Sequence, residues 1–382
     1  MTIVDLGLVP FYWRTKTRPG PDESGIPQRL PFAFDFDSRL QLVIQHRRQD
    51  VLHWLKVVYG RDANVGYLQE GHALADDYGL DFLDFFARSA TSEDAKGSLA
   101  EIGCGGVYLL SRLRTKGYDV VGIDPSPVTI RAGERAGIRV IPEFFPSPSI
   151  SGSFDVIVHY DVLEHAEDPV AFLRAHHRHL NEGGEIVLAV PDCTTYITTG
   201  DIAMMLHEHL NYFDEESLEL TLREAGFLPT AIERSSHGGV LFCRAKVGSG
   251  KTRPLIGSSG KFNEFERIAR ATRKSVNAFV RVAQENGAEM GCYVPLRAFP
   301  YLGKTLLSSC RLRFFDDDPG LRGHFFDGID LPIENFDDLA ESPPEYLIVF
   351  SRAFGNEIRT RVEAATNHQT TVINIGDLTD GL

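Results

Sequence analysis

The chain has 382 residues and a formal net charge of −14, with 43% hydrophobic and 24% charged residues. That length carries two or three domains, and the composition is that of a globular protein rather than a long disordered one. The acidic field repels a phosphate backbone, which sets nucleic acid aside as a partner, and no uncharged apolar run reaches the roughly 20 residues that span a bilayer.

The N-terminus lacks the basic start and apolar run of a signal peptide, so a soluble cytoplasmic protein without a membrane partner is expected. Cys104, Cys193, Cys243, Cys292 and Cys310 are widely spaced with no CxxC pair. They read as buried thiols in a reducing compartment, not as a disulfide framework or zinc knuckle.

Four blocks follow in chain order. Residues 1–90 are a mixed N-terminal region, rich in proline and aromatics over the first forty, with helices expected around 47–60 and 73–90. Residues 91–247 alternate short apolar runs with helical segments: LAEIG, VYLLSRLRTKG, YDVVGID, VTIRAGERAG, IRVIPE, FDVIVHY, a helix near 168–180, and EIVLAVPD. Such alternation predicts a parallel sheet with helices on both faces. Asn181–Gly184 is expected to turn between the last of these helices and its strand. A helix over 214–225 ends at Gly226, and two strands joined at His237-Gly238-Gly239 form an antiparallel hairpin that closes the sheet. Residues 248–287 combine a linker with an amphipathic helix over 261–286, whose stripe includes Phe265, Ala269, Thr272, Val276 and Val280. The GSGKT at 248–252 lacks the leading glycine of a phosphate-binding loop and reads as linker. Residues 288–382 restart the alternation as a second, smaller α/β domain.

The informative turn is Leu99-Ala100-Glu101-Ile102-Gly103-Cys104-Gly105-Gly106, where a strand enters a glycine-rich loop and then a helix. Glycines there let the backbone approach a ligand. Nineteen residues past Gly105, the next strand ends at Asp124, where a carboxylate meets ribose hydroxyls. The nicotinamide pattern GxGxxG would need glycine at Tyr108. Glu101 suits a cationic ligand better than a pyrophosphate.

Together, EIGCGG, GID and FDVIVHYDVLEHAEDP at 154–169 resemble the class I S-adenosylmethionine-dependent methyltransferases, over about 150 residues. The resemblance implies a seven-stranded Rossmann-like sheet with a terminal hairpin. It also implies S-adenosylmethionine as cofactor, with Glu101, Gly103 and Gly105 on its methionine part and Asp124 on the ribose. Glu143 and Phe144 would flank the adenine, and Tyr160 would close the site. Val107 stands where the family usually has its third glycine.

Methyl transfer needs an aligned acceptor and, where the acceptor carries a proton, a base. His207-Glu208-His209 lies past the carboxyl end of the fifth strand, where open α/β sheets bind ligands. Its spacing fits no metal pattern, so no metal is expected. The tract HEHLNYFDEESLELTLREAGF, with GCYVPLRAFPYLGKTLL and FFDDDPGLRG downstream, resembles bacterial C-methyltransferases of nucleotide-linked deoxyketosugars. That family implies His209 as general base, Glu208 beside it, and a C-terminal α/β domain that helps hold the nucleotide. Two departures are Leu206, where the family has tyrosine, and the absence of cysteine from residues 1–103, where the family has a zinc module. Asp161 and His165 are candidates to face the substrate, and Arg297, at a strand-to-helix loop, to pair with a phosphate. The expectation is a methyltransferase of a small polar metabolite, a nucleotide sugar among the candidates, by C- or O-methylation. A nicotinamide-dependent oxidoreductase or epimerase and a non-catalytic binding protein stay open as alternatives.

Overall fold

The structure is a computed structural model that describes residues 3–11, 15–20, 25–60, 73–90, 97–248, 260–309, 311–326, 329–352 and 354–378. Most of the expected linker, residues 249–259, and Cys310 lie outside these. No described helix is long and apolar enough to cross a membrane. The chain divides into two compact units: residues 36–194 with 208–258, and residues 1–35 with 195–207 and 259–382. The units interleave along the chain, where composition alone suggests consecutive blocks.

The unit of 36–194 and 208–258 is built on seven strands: β1 (Ser98–Ile102), β2 (Asp119–Ile123), β3 (Val140–Ile141), β4 (Phe154–Tyr160), β5 (Leu180–Pro191), β6 (Phe227–Arg234) and β7 (Val240–Val247). Their order is β6-β7-β5-β4-β1-β2-β3. β1 through β5 are parallel, and β7 runs antiparallel to both its neighbours. This is the expected sheet with its terminal hairpin. The period of two sorts the side chains. Ala100, Ile102, Ile157, Ile186 and Leu188 join Leu173, Leu218 and Leu222 in one core layer. Leu99, Val156, Val158, Val187 and Phe242 join Phe82, Phe85, Leu109 and Leu113 in the other. Each fully buried side chain of this size contributes about 1.5–3 kcal/mol.

Helix ends follow local chemistry. Ser126 accepts a hydrogen bond from the Val128 N–H, Pro127 opens the helix Pro127–Ala136, and Gly137 ends it at φ 63°; both end signals are readable in sequence. The expected turn at Asn181–Gly184 appears instead as an irregularity inside β5. Pairing with β4 jumps from Phe154–Leu180 to Val156–Glu185, so four residues bulge out while the strand continues.

Below this sheet lies a histidine cluster absent from the sequence reading. His159 and His176 rings are 5.5 Å apart, and Phe145 and Phe172 pack edge-on to His176. Burial pushes His176 down to about 4 from 6.5, and burial followed by the His176 charge pushes His159 well down. A histidine held neutral in the fold binds its proton more readily when unfolded. Its contribution to stability is therefore intact above about pH 6.5 and is lost as pH falls toward 4. His176→Phe should gain about 2–3 kcal/mol relative to wild type between pH 7 and pH 4.5, since each tenfold change in proton affinity is worth about 1.4 kcal/mol. Urea unfolding at the two pH values measures it, and a pH-independent gap refutes it.

The other unit carries five parallel strands in the order Ile333–Glu334, Leu312–Phe315, Met290–Tyr293, Tyr346–Val349, Thr371–Asn374. The amphipathic helix Gly260–Glu285 belongs to it and buries Phe265, Ala269, Thr272, Val276 and Val280. So does an antiparallel pair formed by Val4–Pro10 and Arg29–Asp37, strands that proline-rich composition conceals.

Candidate functional site

β1 is first in sequence but central in space. The strand order reverses beside it, with β2 and β3 following on one side and β4 and β5 on the other, and at such a switch point open α/β sheets bind ligands outside the carboxyl ends of their strands. Glu101 stands at this end of β1, 3% exposed, and its Oε2 has no hydrogen-bond partner. Burial, then the neighbouring Asp124 charge, pushes its carboxyl well up. Asp124 ends β2, buried, and burial raises it too. Two facing carboxylates this poorly solvated are an electrostatic cost that a cationic ligand relieves.

The loop between them is fixed by its own backbone. The Gly103 N–H donates to the Ile123 carbonyl at 2.8 Å, and the Gly105 N–H donates to Asp124 Oδ2 at 3.2 Å. The other carboxylate oxygen, Oδ1, accepts from the Ser126 N–H at 2.8 Å. Gly103 lies at φ 70°, and a Cβ there would sit 2.6 Å from Val162 Cγ2; at Gly105, φ 46°, nothing lies within 4 Å. Gly103→Ala should cost about 2–4 kcal/mol, left-handed strain plus overpacking. Gly105→Ala should cost only about 1–2 kcal/mol, the strain term alone. Thermal or urea unfolding compares them, and Val162→Ala should recover part of the first loss but none of the second.

Val107 answers the missing third glycine. It holds φ 58° at the start of the helix Tyr108–Thr115 with no side-chain cap, an outlying conformation for a β-branched residue. Tyr108, at the position a nicotinamide motif reserves for glycine, is buried and donates its hydroxyl to Asp76.

The remaining cofactor candidates ring the same strand ends. Glu143 follows β3 and accepts from the Ser147 hydroxyl at 3.0 Å. Phe144 is 53% exposed, with its ring available to a planar ligand. Tyr160 ends β4, edge-on to Phe82 at 5.2 Å, and burial raises its phenol.

A second constellation begins just after β4. Asp161 is exposed at φ 53°. The short helical turn Leu163–His165 follows it and exposes His165 partly while burying Glu164. Glu164 is 1% exposed, and neither carboxylate oxygen has a hydrogen-bond partner. Burial and the Asp161 charge push it well up. Sequence reasoning passed over Glu164; the available signal was a charged residue flanked by Leu163 and His165 directly after a core strand.

The segment 208–212 is laid against this turn. Leu42–Gln45 pairs with Asn211–Tyr212, and the Leu210 N–H donates to the Glu164 carbonyl at 2.7 Å. Asn211 Nδ2 donates to the carbonyls of Ala166, Leu163 and Glu164 at 2.8, 3.3 and 3.3 Å. His165 Nδ1 donates to the Glu208 carbonyl at 2.8 Å. Thus His209 arrives with its ring 5.1 Å from that of His165. Burial, then the His165 charge, pushes His209 well down, and burial pushes Glu208 up to about 7.

Two candidates belong to the other unit. His207 belongs to the other unit, fully buried with its ring edge-on to Phe11 at 5.2 Å and Phe32 at 5.4 Å. It is a core residue, which corrects the expectation of a catalytic one. Arg297, also in that unit, opens the helix Pro295–Ser309 and donates to the Tyr196 hydroxyl at 2.9 Å. Four of the five cysteines are described, and all four are buried free thiols.

Comparison with known proteins places families on both halves. Residues 72–231 match the family model of a methyltransferase domain, and residues 253–375 match that of a C-methyltransferase C-terminal domain. A ubiquinone biosynthesis O-methyltransferase of Pseudomonas aeruginosa (strain UCBPP-PA14) is 32% identical over 97 residues, 23% of this chain and 42% of that one. Its counterpart from Xanthomonas axonopodis pv. citri (strain 306) is 28% identical over 156 residues, 36% of this chain and 65% of that one. This chain thus spans less than two thirds of the length of these curated relatives. Among solved structures, Burkholderia thailandensis 1,6-didemethyltoxoflavin-N1-methyltransferase, with 1,6-didemethyltoxoflavin and S-adenosylhomocysteine bound, aligns at TM-score 0.39 and 16% identity, over 55% of this chain and 96% of that one.

Proposed function

Because the chain belongs to the class I S-adenosylmethionine-dependent methyltransferases, we propose that it methylates a small polar metabolite, a nucleotide-linked sugar, at a carbon beside a carbonyl. The observation that carries the choice of carbon is the match of residues 253–375 to a C-methyltransferase C-terminal domain. The cofactor's residues fit the group. Glu101, with an orphaned buried oxygen, would meet the ammonium end, the Gly103–Gly105 loop would run along its chain, and Asp124, buried at the end of β2, would take the ribose hydroxyls. Glu143 and Phe144 would border the adenine, and Tyr160 would cover the site.

When bound, S-adenosylmethionine supplies an electrophilic methyl carbon on a positively charged sulfur and leaves as the neutral thioether. The chain's own work is to hold the acceptor in line and to remove its proton. The acceptor gives up its proton at the cluster of Glu164, His165 and His209, and the electron pair left behind forms the new bond to carbon. Asn211 positions this cluster by tying the 208–212 segment to the turn that bears Glu164. Asp161, just before the same turn, would face the substrate.

A second reading, O-methylation, is favoured by the names of the 32%-identical relatives. Mass spectrometry after incubation with methyl-labelled cofactor and a panel of nucleotide-linked ketosugars separates the two. Label on carbon supports the first and label on oxygen the second. Binding of a nicotinamide cofactor in place of S-adenosylhomocysteine would overturn both.

A further inference from the structure

Glu164, His165 and His209 lie on two backbone segments that hydrogen bonds hold together, and each offers one ligand atom. These three atoms all lie within 4.8 Å of one another. Glu164 is the telling member. A carboxylate 1% exposed with two unpartnered oxygens is costly unless a cation meets it. Among the described residues its ion-pair contact is His165 Nε2, at 3.6 Å from Oε1, a group that is cationic only when protonated.

We propose that Glu164, His165 and His209 form a binding site for a divalent transition-metal ion of the zinc type, with a position left open to an oxygen of the acceptor. Two imidazoles and one carboxylate are a donor set such ions favour, and three protein ligands leave room for a fourth from water or substrate. A carbonyl can only accept, so the 2.8 Å contact to the Glu208 carbonyl puts the proton of His165 on Nδ1 and makes Nε2 the coordinating atom. That outer contact is the kind that orients a ligating histidine. Ligand atoms about 2.1 Å from one ion can stand no more than about 4.2 Å apart. Small side-chain rotations therefore close the site.

The role of the ion rests on the methyltransferase reading. Bound to the acceptor's oxygen, it would make the acceptor's proton more acidic. The proton then passes to water, the ion keeps its oxidation state, and His209 serves as ligand rather than as the base itself.

The test uses the full-length protein, stripped with a chelator and titrated with Zn²⁺ by calorimetry and with Co²⁺ by visible absorption. One tight equivalent per chain is expected, with a Co²⁺ spectrum of nitrogen and oxygen ligation. Glu164→Gln and His209→Ala should each bind roughly 100-fold more weakly, a ligand counting for at least as much as an outer-shell partner. Both variants should keep wild-type affinity for S-adenosylhomocysteine, which shows them folded. Absence of a stoichiometric equivalent, or equal binding by wild type and both variants, overturns the ion site. Methyl transfer that survives chelation yet is lost in His209→Ala overturns it as well, while leaving direct proton removal by the cluster intact. Failure of the wild type to bind S-adenosylhomocysteine would count against the methyltransferase reading alone, the Co²⁺ spectrum still deciding the ion site.

Discussion

His209→Ala is expected to lower turnover by roughly 10²–10⁴-fold, the range for losing a group that handles the acceptor's proton, with cofactor affinity unchanged. His209 lies beside His165 in a segment bound to the turn after β4, whereas Glu101 and Asp124, the carboxylates proposed for the cofactor, end β1 and β2. The expectation holds whether the ring takes the proton or holds an ion, because either role needs its nitrogen. Steady-state kinetics with S-adenosylhomocysteine calorimetry checks it. Full activity would remove His209 from the chemistry. Equal losses of turnover and cofactor affinity would instead mean that the substitution had collapsed the 208–212 segment.

Asp124→Ala is expected to weaken binding of S-adenosylmethionine by about 1–3 kcal/mol, or about fivefold to somewhat over a hundredfold, the scale for hydrogen bonds to a charged group. The carboxylate does two things at once. It would accept from the ribose, and it already accepts from the N–H groups of Gly105 and Ser126. Alanine removes both. Asp124→Asn keeps an acceptor oxygen and can still satisfy one of these donors, so its loss should be smaller. Calorimetry on the three proteins separates the contributions, and an unchanged affinity in Asp124→Ala would take the residue out of the site.

Much of the sheet was legible because its signals are local. Strand runs, the turn through Gly103 and Gly105, and the end signals Ser126-Pro127 and Gly137 all act within a few residues. Asp124 was readable by its distance from Gly105. What escaped depends on packing between distant segments. His207 and His209 are two residues apart and look alike in sequence, yet one enters an aromatic core with Phe11 and Phe32 and the other joins His165. Nothing local separates them; the difference is which unit claims each residue. Glu164 was overlooked for the same reason, since a glutamate after a strand reads as solvated until its burial is seen. The strands at Val4–Pro10 and Arg29–Asp37 were hidden by prolines: Pro10 ends the first, and Pro31 stands opposite Leu8.

The course of the backbone carries a practical consequence. It passes from one unit to the other at residues 35–36, 194–195, 207–208 and 258–259. A single proteolytic nick, or a stop codon placed in the stretch after Val247, therefore cannot excise either body intact. A chain ended there keeps Ile197, Ile202, Met205 and His207, all buried in the full-length protein, yet discards most of the scaffold with which they are grouped. Such a fragment would carry apolar side chains stripped of most of the unit they belong to. Dissection of this enzyme is better attempted by point substitution than by shortening.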